Sequence, residues 1–321
     1  MEESDMKSNK PKVVVTGAAG FIGSHLSKSL MDDGYEVYGL DNFNNYYDPA
    51  IKHDRVKFFG HHVIPCDLKN LDVLRIRFDR IQPDVVIHLA ARAGVRDSKG
   101  NEQLYHDDNI TGTQNLIEVC KMYDVSKVVY ASTSSVYGGT PIPVTGWTED
   151  EVTGHQLNPY AYTKYCNECQ FKISGLNTVG LRFFTVYGPW GRPDMALYQF
   201  AESMVAGKSI QAFNYGKMQR DFTYIDDIVA GIKLVMISDI NPSEIFNIGR
   251  GKQVQLMHFI RCISNELGVD ADVVLAPRHP ADTINTWSNT TKLKELGYEP
   301  KVNIEEGVEE FILWFKKYHG I

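Results

Sequence analysis

From Lys12 onward, short runs of β-forming residues alternate with stretches of helical periodicity, and this alternation restricts the fold more than any other feature of the chain. The runs are Val13–Thr16, Glu36–Leu40, His62–Pro65, Val85–Leu89, Lys127–Ala131 and Thr178–Phe183. Between the first two, Ile22, Leu26 and Leu30 recur at helical spacing and give one apolar face to a sheet. Repeated β-α-β units predict an α/β fold, a Rossmann-type doubly wound parallel sheet.

After Phe184 the pattern loosens into TVYGPWGRPDM, whose glycines and prolines predict a loop leaving the sheet. Beyond it, Tyr224–Ser238, Gln255–Leu267 and Ile304–Tyr318 read as helices and Ile245–Ile248 as a strand. No low-complexity linker or fixed-period repeat divides the chain. The expected organisation is a flexible extension over 1–11, a dinucleotide-binding lobe over 12–185 with returns near 223–249, and a smaller mixed α/β substrate lobe over 186–321.

With 33 Lys and Arg against 40 Asp and Glu, the net charge is −7, which leaves no basic surface suited to a phosphodiester backbone and argues against nucleic acid as a partner. The apolar runs are strand-length and far short of a bilayer span, so no membrane helix is expected. The polar N-terminus, MEESDMKSNKPK, is unlike a signal peptide, and a cytoplasmic location is expected. The five cysteines, Cys66, Cys120, Cys166, Cys169 and Cys262, are odd in number and scattered, unlike a disulfide framework. Cys166 and Cys169 form a C-x-x-C, but no second pair or histidine cluster completes a zinc site, and no metal is expected there.

The sequence VVVTGAAGFIGSHL places Gly17, Gly20 and Gly23 directly after the first strand and at the opening of a helix. Glycines there permit a tight turn, and the amides of the helix N-terminus can face a pyrophosphate. Asp41 stands at the end of the second strand, eighteen residues beyond Gly23. A carboxylate at that place accepts hydrogen bonds from a ribose and repels a 2′-phosphate, which selects NAD over NADP. Asp67 follows the third strand, where it can meet an adenine edge.

In NPYAYTKYCNE, Tyr160 and Lys164 are four apart and share a helical face. An ammonium beside a phenol, with a cationic nicotinamide nearby, favours the phenolate and is expected to lower the tyrosine pKa toward working pH. Such a pair makes a base for an alcohol.

Taken together, the glycine motif at Gly17, HLAA at His88, STSSVYG at Ser132, Tyr160 with Lys164, and RFFTVYGPWGRPDM at Arg182 resemble an extended short-chain dehydrogenase/reductase. Within it the chain is most similar to the nucleotide-sugar 4-epimerases, those acting on UDP-glucuronate above all. The resemblance implies tightly held NAD, a UDP-sugar substrate (UDP-glucuronate and UDP-galacturonate) and a homodimer. It implies a catalytic set of Thr133, Tyr160 and Lys164. Around the cofactor it implies Phe21, Ile22 and Asn42 beside Gly17, Gly20, Gly23 and Asp41, and Leu68, Leu89, Ala90 and Ala91 beside Asp67.

Where related 4,6-dehydratases carry an Asp-Glu pair after the catalytic hydroxyl, and decarboxylases a Glu, this chain has Ser134 and Ser135. Neutral hydroxyls do no carboxylate acid/base work, but they donate hydrogen bonds to an anion. With Thr185 they are expected to grip a substrate carboxylate. Arg96 in AGVRDS and Arg192 in GRPDM are candidates to balance substrate charge, and Arg220, Arg278 and Asp282 resemble the clamp on the UDP phosphates and ribose. Three alternatives stand beside the uronate reading: an epimerase of neutral UDP-hexoses such as UDP-glucose or UDP-N-acetylglucosamine, a UDP-glucuronate decarboxylase, and a non-catalytic NAD-binding scaffold.

Overall fold

The computed structural model describes residues 10–278 and 283–321. Residues 1–9, most of the expected N-terminal extension, lie outside the described residues, as does Asp282. The first part of the chain runs β1 (Lys12–Thr16), α1 (Phe21–Asp32), β2 (Glu36–Asp41), α2 (Ala50–Phe59), β3 (Val63–Pro65), α3 (Leu71–Ile81), β4 (Val85–His88), α4 (Glu102–Tyr105), α5 (Gly112–Met122), β5 (Lys127–Thr133), α6 (Pro159–Lys172) and β6 (Thr178–Phe183). A π-helical turn, His106–Thr111, joins α4 to α5.

The second part runs β7 (Thr185–Tyr187), α7 (Ala196–Val205), β8 (Ile210–Ala212), β9 (Gln219–Tyr224), α8 (Ile225–Ile237), β10 (Glu244–Ile248), β11 (Gln253–Gln255), α9 (Leu256–Leu267), β12 (Val273–Leu275), α10 (Thr291–Glu295) and α11 (Ile304–His319). One correction concerns Thr185–Tyr187. The sequence reads it as the start of a loop, yet it forms β7 and pairs in parallel with β9, because Val186 and Tyr187 are both buried in the core they share with α8 and α11.

Seven strands form one parallel sheet in the order β10-β6-β5-β4-β1-β2-β3. Side chains alternate between its faces, as the two-residue period of a strand requires. Val13 and Val15 of β1, Val85 and Ile87 of β4, and Val129 and Ala131 of β5 join one core with α1 and α8. Val14, Val86, Val128 and Tyr130 join the other, against Leu74 and Phe78 of α3, Leu116 and Val119 of α5 and Phe171 of α6. The chain leaves β1 for β2 on one side and reaches β4 on the other, so a crevice opens at the carboxyl ends of β1 and β4, where such sheets bind ligands.

A three-stranded sheet, β11-β9-β7, and a two-stranded one, β12-β8, stand beyond those carboxyl ends with α7, α9 and α11. Buried Asp221 of β9 ties that strand to the turn between β10 and β11 and to the segment before α10, accepting from the amides of Arg250 (2.9 Å), Gly251 (3.1 Å) and Ser288 (3.0 Å). Phe222, Phe259, Phe311 and Phe315 of this region belong to the same buried cluster as Val13 and Leu26.

Candidate active site

A cleft of about 890 Å³ lies at the crevice, walled by the loops after β1, β2, β3, β4 and β5 on one side and by α7, β8 and β9 on the other. Asp41, buried at the end of β2, accepts hydrogen bonds from the amides of Ala19 (3.1 Å) and Phe43 (2.8 Å). The Ala19 bond locks the carboxylate to the glycine loop, and Lys52 Nζ of α2 stands 3.8 Å from it as the other side of an ion pair. Asp67 caps its own turn by accepting from the Lys69 amide (2.9 Å) and meets the Asn42 amide group at 3.3 Å. Asn42, Leu68, Leu89, Ala90 and Ala91 line the same half of the cleft as Gly17, Gly20, Phe21, Ile22 and Gly23.

Helix α6 delivers the phenol and the ammonium. It starts where it does because Asn158 accepts from the Ala161 amide (2.9 Å) and Pro159 occupies the first helical position, where a missing N–H costs nothing. Tyr160 and Lys164, one turn apart, then face the cleft beside Thr133, the last residue of β5. Thr133 hydrogen-bonds the Tyr160 hydroxyl, which together with the charge of Arg192 favours the phenolate. Burial outweighs both and leaves the phenol above its ordinary pKa.

The expectation of a phenol lowered by its neighbouring lysine is therefore corrected for the protein's own groups. Burial instead lowers Lys164 to about 8, with Glu168 acting in the opposite sense.

Beneath this surface runs a buried polar network. Arg182 donates through Nε to Glu168 Oε1 and through Nη2 to Oε2, both at 2.9 Å, and through Nη1 to the Tyr137 hydroxyl at 2.9 Å. The Ser132 hydroxyl donates to Glu168 Oε1, and Tyr137 donates to Asn247 Oδ1 (2.7 Å). Ser132 is thus a structural member of STSSVYG. His88 is fully enclosed between Thr16 Oγ1 (2.8 Å) and Thr113 Oγ1 (3.0 Å), and burial with the nearby Lys164 lowers its pKa to about 3. It stays neutral and joins β1, β4 and α5.

Ser134 and Ser135 open a 3₁₀ turn, Ser134–Tyr137, and line the cleft next to Thr133. The Ser135 amide donates to Thr133 Oγ1 at 3.2 Å, which fixes the turn on the strand end. Thr185 lines the cleft from β7. Arg192 reaches the cleft as a forked partner of Asp194, whose other oxygen contact is the Tyr46 hydroxyl (3.1 Å). The Arg96 guanidinium lies 4.2 Å from the centre of the Phe213 ring, across the cleft.

Arg220 lines the cleft while donating to the carbonyls of Thr283 (2.6 Å) and Ile284 (2.7 Å). Arg278 is not brought there: it is exposed and outside the lining. It stands three residues beyond Leu275, the exposed end of β12.

The profile of the NAD-dependent epimerase/dehydratase family matches residues 13–249, nearly three quarters of the chain. The chain belongs to the NAD-dependent epimerase/dehydratase family. It is 39% identical over 316 residues to a UDP-glucuronate 4-epimerase of Thermodesulfobacterium geofontis, covering 95% of this chain and 96% of the relative. The Bacillus cereus UDP-glucuronic acid 4-epimerase, solved in complex with UDP-glucuronic acid and NAD, superposes with a TM-score of 0.88 at 35% identity, over 96% of this chain and 99% of that one. A UDP-glucose 4-epimerase of Thermotoga maritima, solved with UDP-glucose, gives 0.88 at 30% identity, with the same coverage of both chains.

The epimerase/dehydratase family's NAD can be tested against the glycine loop. A Cβ added at Gly17, whose φ is +72°, would stand 2.8 Å from the Ala90 nitrogen, and one at Gly23 would stand 2.1 Å from the Gly17 carbonyl oxygen. The missing side chains let the loop pack directly on the backbone after β4 and leave the first turn of α1, Phe21 to Gly23, open to the cleft with Asp41 fixed beside the loop, an arrangement that fits a dinucleotide pyrophosphate and ribose.

In this family frame the sequence reading missed several residues. Lys52, Tyr46, Arg92, Asp108 and Asp194 all line the cleft. Arg92 donates through Nε to Asp108 (2.8 Å), and its amide donates to Asn109 Oδ1 (2.7 Å). The signal for Lys52 and Tyr46 was present in DNFNNYYDPAIK, a polar and aromatic run directly after the strand that carries Asp41.

Proposed function

We propose that the chain interconverts UDP-glucuronate and UDP-galacturonate by NAD-dependent epimerisation at C4 of the sugar. The observation that carries this reading is the pair Ser134 and Ser135, neutral donors set in the cleft immediately beside Thr133 and Tyr160. Bound NAD supplies the acceptor for the hydride of C4 and gives it back, so that it is regenerated in each cycle.

The chain's residues supply the rest. Tyr160 takes the proton of the 4′-hydroxyl. Thr133, bonded to the phenol, holds the reacting oxygen, and Arg192 stabilises the phenolate that forms. Lys164 holds the nicotinamide ribose. The cleft holds both a nucleotide-sugar and a dinucleotide, with Arg220 and Arg96 on the substrate side. The 4-keto sugar turns over in the cleft and is reduced on its other face.

A 4-keto glucuronate is a β-keto acid, which loses carbon dioxide when the bond to its carboxylate aligns with the ketone. Hydrogen bonds from Ser134, Ser135 and Thr185 to the carboxylate hold that bond out of alignment. Among the described residues, the acids that line the cleft are engaged elsewhere: Asp108 with Arg92, Asp194 with Arg192, Asp97 with the Tyr105 hydroxyl. Asp41 and Asp67 serve the dinucleotide half. None is in place of the acid that a dehydratase or decarboxylase needs beside Thr133.

The unpaired cysteines support a reducing, cytoplasmic setting, no helix among the described residues is long and apolar enough to cross a membrane, and the assembly we propose from the resemblance is a homodimer. The test is turnover of UDP-glucuronate, and separately of UDP-glucose, without added NAD, followed by the anomeric proton signals. UDP-galacturonate is expected from the first, and turnover of UDP-glucose alone would overturn the uronate reading. Tyr160→Phe is expected to abolish turnover while UDP binding, measured by calorimetry, is retained.

A further inference from the structure

Away from the cleft, three residues with metal-binding atoms converge where α9 meets the start of α11. His258 and Cys262 are four apart on α9 and so project from one face of it. Glu305 stands in the first turn of α11, a helix whose start is fixed by a capping box between Asn303 and Glu306. His258 Nε2 lies 2.8 Å from Glu305 Oε1 and 3.7 Å from Cys262 Sγ, and the three ligand atoms all lie within 4.8 Å of one another. An ion pair between His258 and Glu305 accounts for the first contact. It does not account for a thiol aimed at the same ring nitrogen.

We propose that His258, Cys262 and Glu305 form a binding site for a divalent borderline-soft metal ion, zinc by the chemistry of its ligands, which staples α9 to the N-terminus of α11. Tetrahedral zinc with bonds of ~2.0–2.3 Å to nitrogen, oxygen and sulfur places its ligand atoms roughly 3.3–3.6 Å apart. Rotation of the exposed Glu305 side chain opens 2.8 Å to that separation, and the sulfur already stands near it. Binding releases the thiol proton to solvent, and thiolate and carboxylate together offset the charge of the cation. His258 and Glu305 face solvent, so the metal enters directly and keeps a water as its fourth ligand. Because α9 begins at Leu256, which lines the cleft, the staple holds one wall of the substrate side.

The experiment uses the untagged full-length chain with Cys166→Ser and Cys169→Ser, which removes the two accessible thiols that compete for metal. Titration with Co²⁺ is expected to give one equivalent bound, with the strong visible bands of a tetrahedral site and a near-ultraviolet thiolate-to-cobalt band, all displaced by Zn²⁺. Added zinc is expected to raise the melting temperature. Cys262→Ser should lose the thiolate band. Glu305→Gln, at an exposed position that leaves the packed face of α11 intact, should weaken zinc at least roughly tenfold, which corresponds to about 1.4 kcal/mol. A weak octahedral cobalt spectrum without a thiolate band, or equal zinc affinity in the parent and in Glu305→Gln, would overturn the proposal and leave an interhelical ion pair with a packed thiol.

Discussion

Lys164 is enclosed beside Glu168 and His88, and burial brings it from an ordinary 10.5 to about 8. The unfolded chain keeps this proton to higher pH than the folded one, so between those values the unfolded state binds more protons and stability rises with pH. Urea unfolding between about pH 7.5 and 9.5 is expected to show that rise in the parent chain and its reduction in Lys164→Met. A different consequence follows from Ser134 and Ser135. The double change Ser134→Ala with Ser135→Ala is expected to slow epimerisation and to release UDP-pentose, detected by its anomeric signal, whereas an unchanged rate with no pentose would remove their role at the carboxylate.

At this scale the meeting of the glycines, Asp41, Tyr160 and Lys164 in one cleft was legible, because each sits at a fixed offset from a strand end or on one helical face, while Thr133 was reached through the family resemblance. Arg92, Asp108 and Asp194 were not. Their meaning comes from partners such as Asn109 and Asp108 for Arg92 and Tyr46 for Asp194, brought together by tertiary folding, and no local pattern carries it.

Among the elements, α6 brings both Tyr160 and Lys164 to the cleft. Asn158 supplies its side-chain cap, and Tyr160 follows within the first turn. Asn158→Ala is expected to cost about 1 kcal/mol of stability and to lower kcat more than it raises KM, since the phenol loses its fixed place before the substrate pocket is disturbed. The π-helical turn at His106–Thr111 was invisible in the sequence, since its run of weak helix formers, HDDNIT, carries no pattern that marks such a turn. It sets buried Asn109 against the Arg92 carbonyl (3.0 Å) and Thr163 Oγ1 (2.9 Å), tying the loop after β4 to α6. Strand β7 was equally hidden, because three residues between a strand and a glycine-rich loop show no period of their own.

For the molecule as a whole, the six predicted strands of the sheet are present, and the core they build does not stop at its edge. One buried cluster runs from Val13 and Leu26 through Ile228 and Phe222 to Phe311 and Phe315, so the region that carries α9 and α11 shares its apolar interior with the sheet. A shared interior couples the two in unfolding. Denaturation followed by tryptophan fluorescence and by far-ultraviolet circular dichroism is expected to give coincident transitions, and separated ones would show that the C-terminal elements melt independently. Trp190 and Trp314, 5.2 Å apart between ring centres, make fluorescence a reporter of this junction.

The buried pair of Glu168 and Arg182 also limits how this site can change over time. Either residue replaced alone strands a charge in the interior, at a cost on the order of 3–5 kcal/mol, whereas an apolar pair of similar volume is far better tolerated. Glu168 shares a helix with Tyr160 and Lys164, and Arg182 sits on the strand beside Thr133, so one linked pair underlies both elements that bring these three residues to the cleft. Single substitutions cannot move through that arrangement gradually. A lineage that remodels the chemistry above it must alter both positions together or keep both.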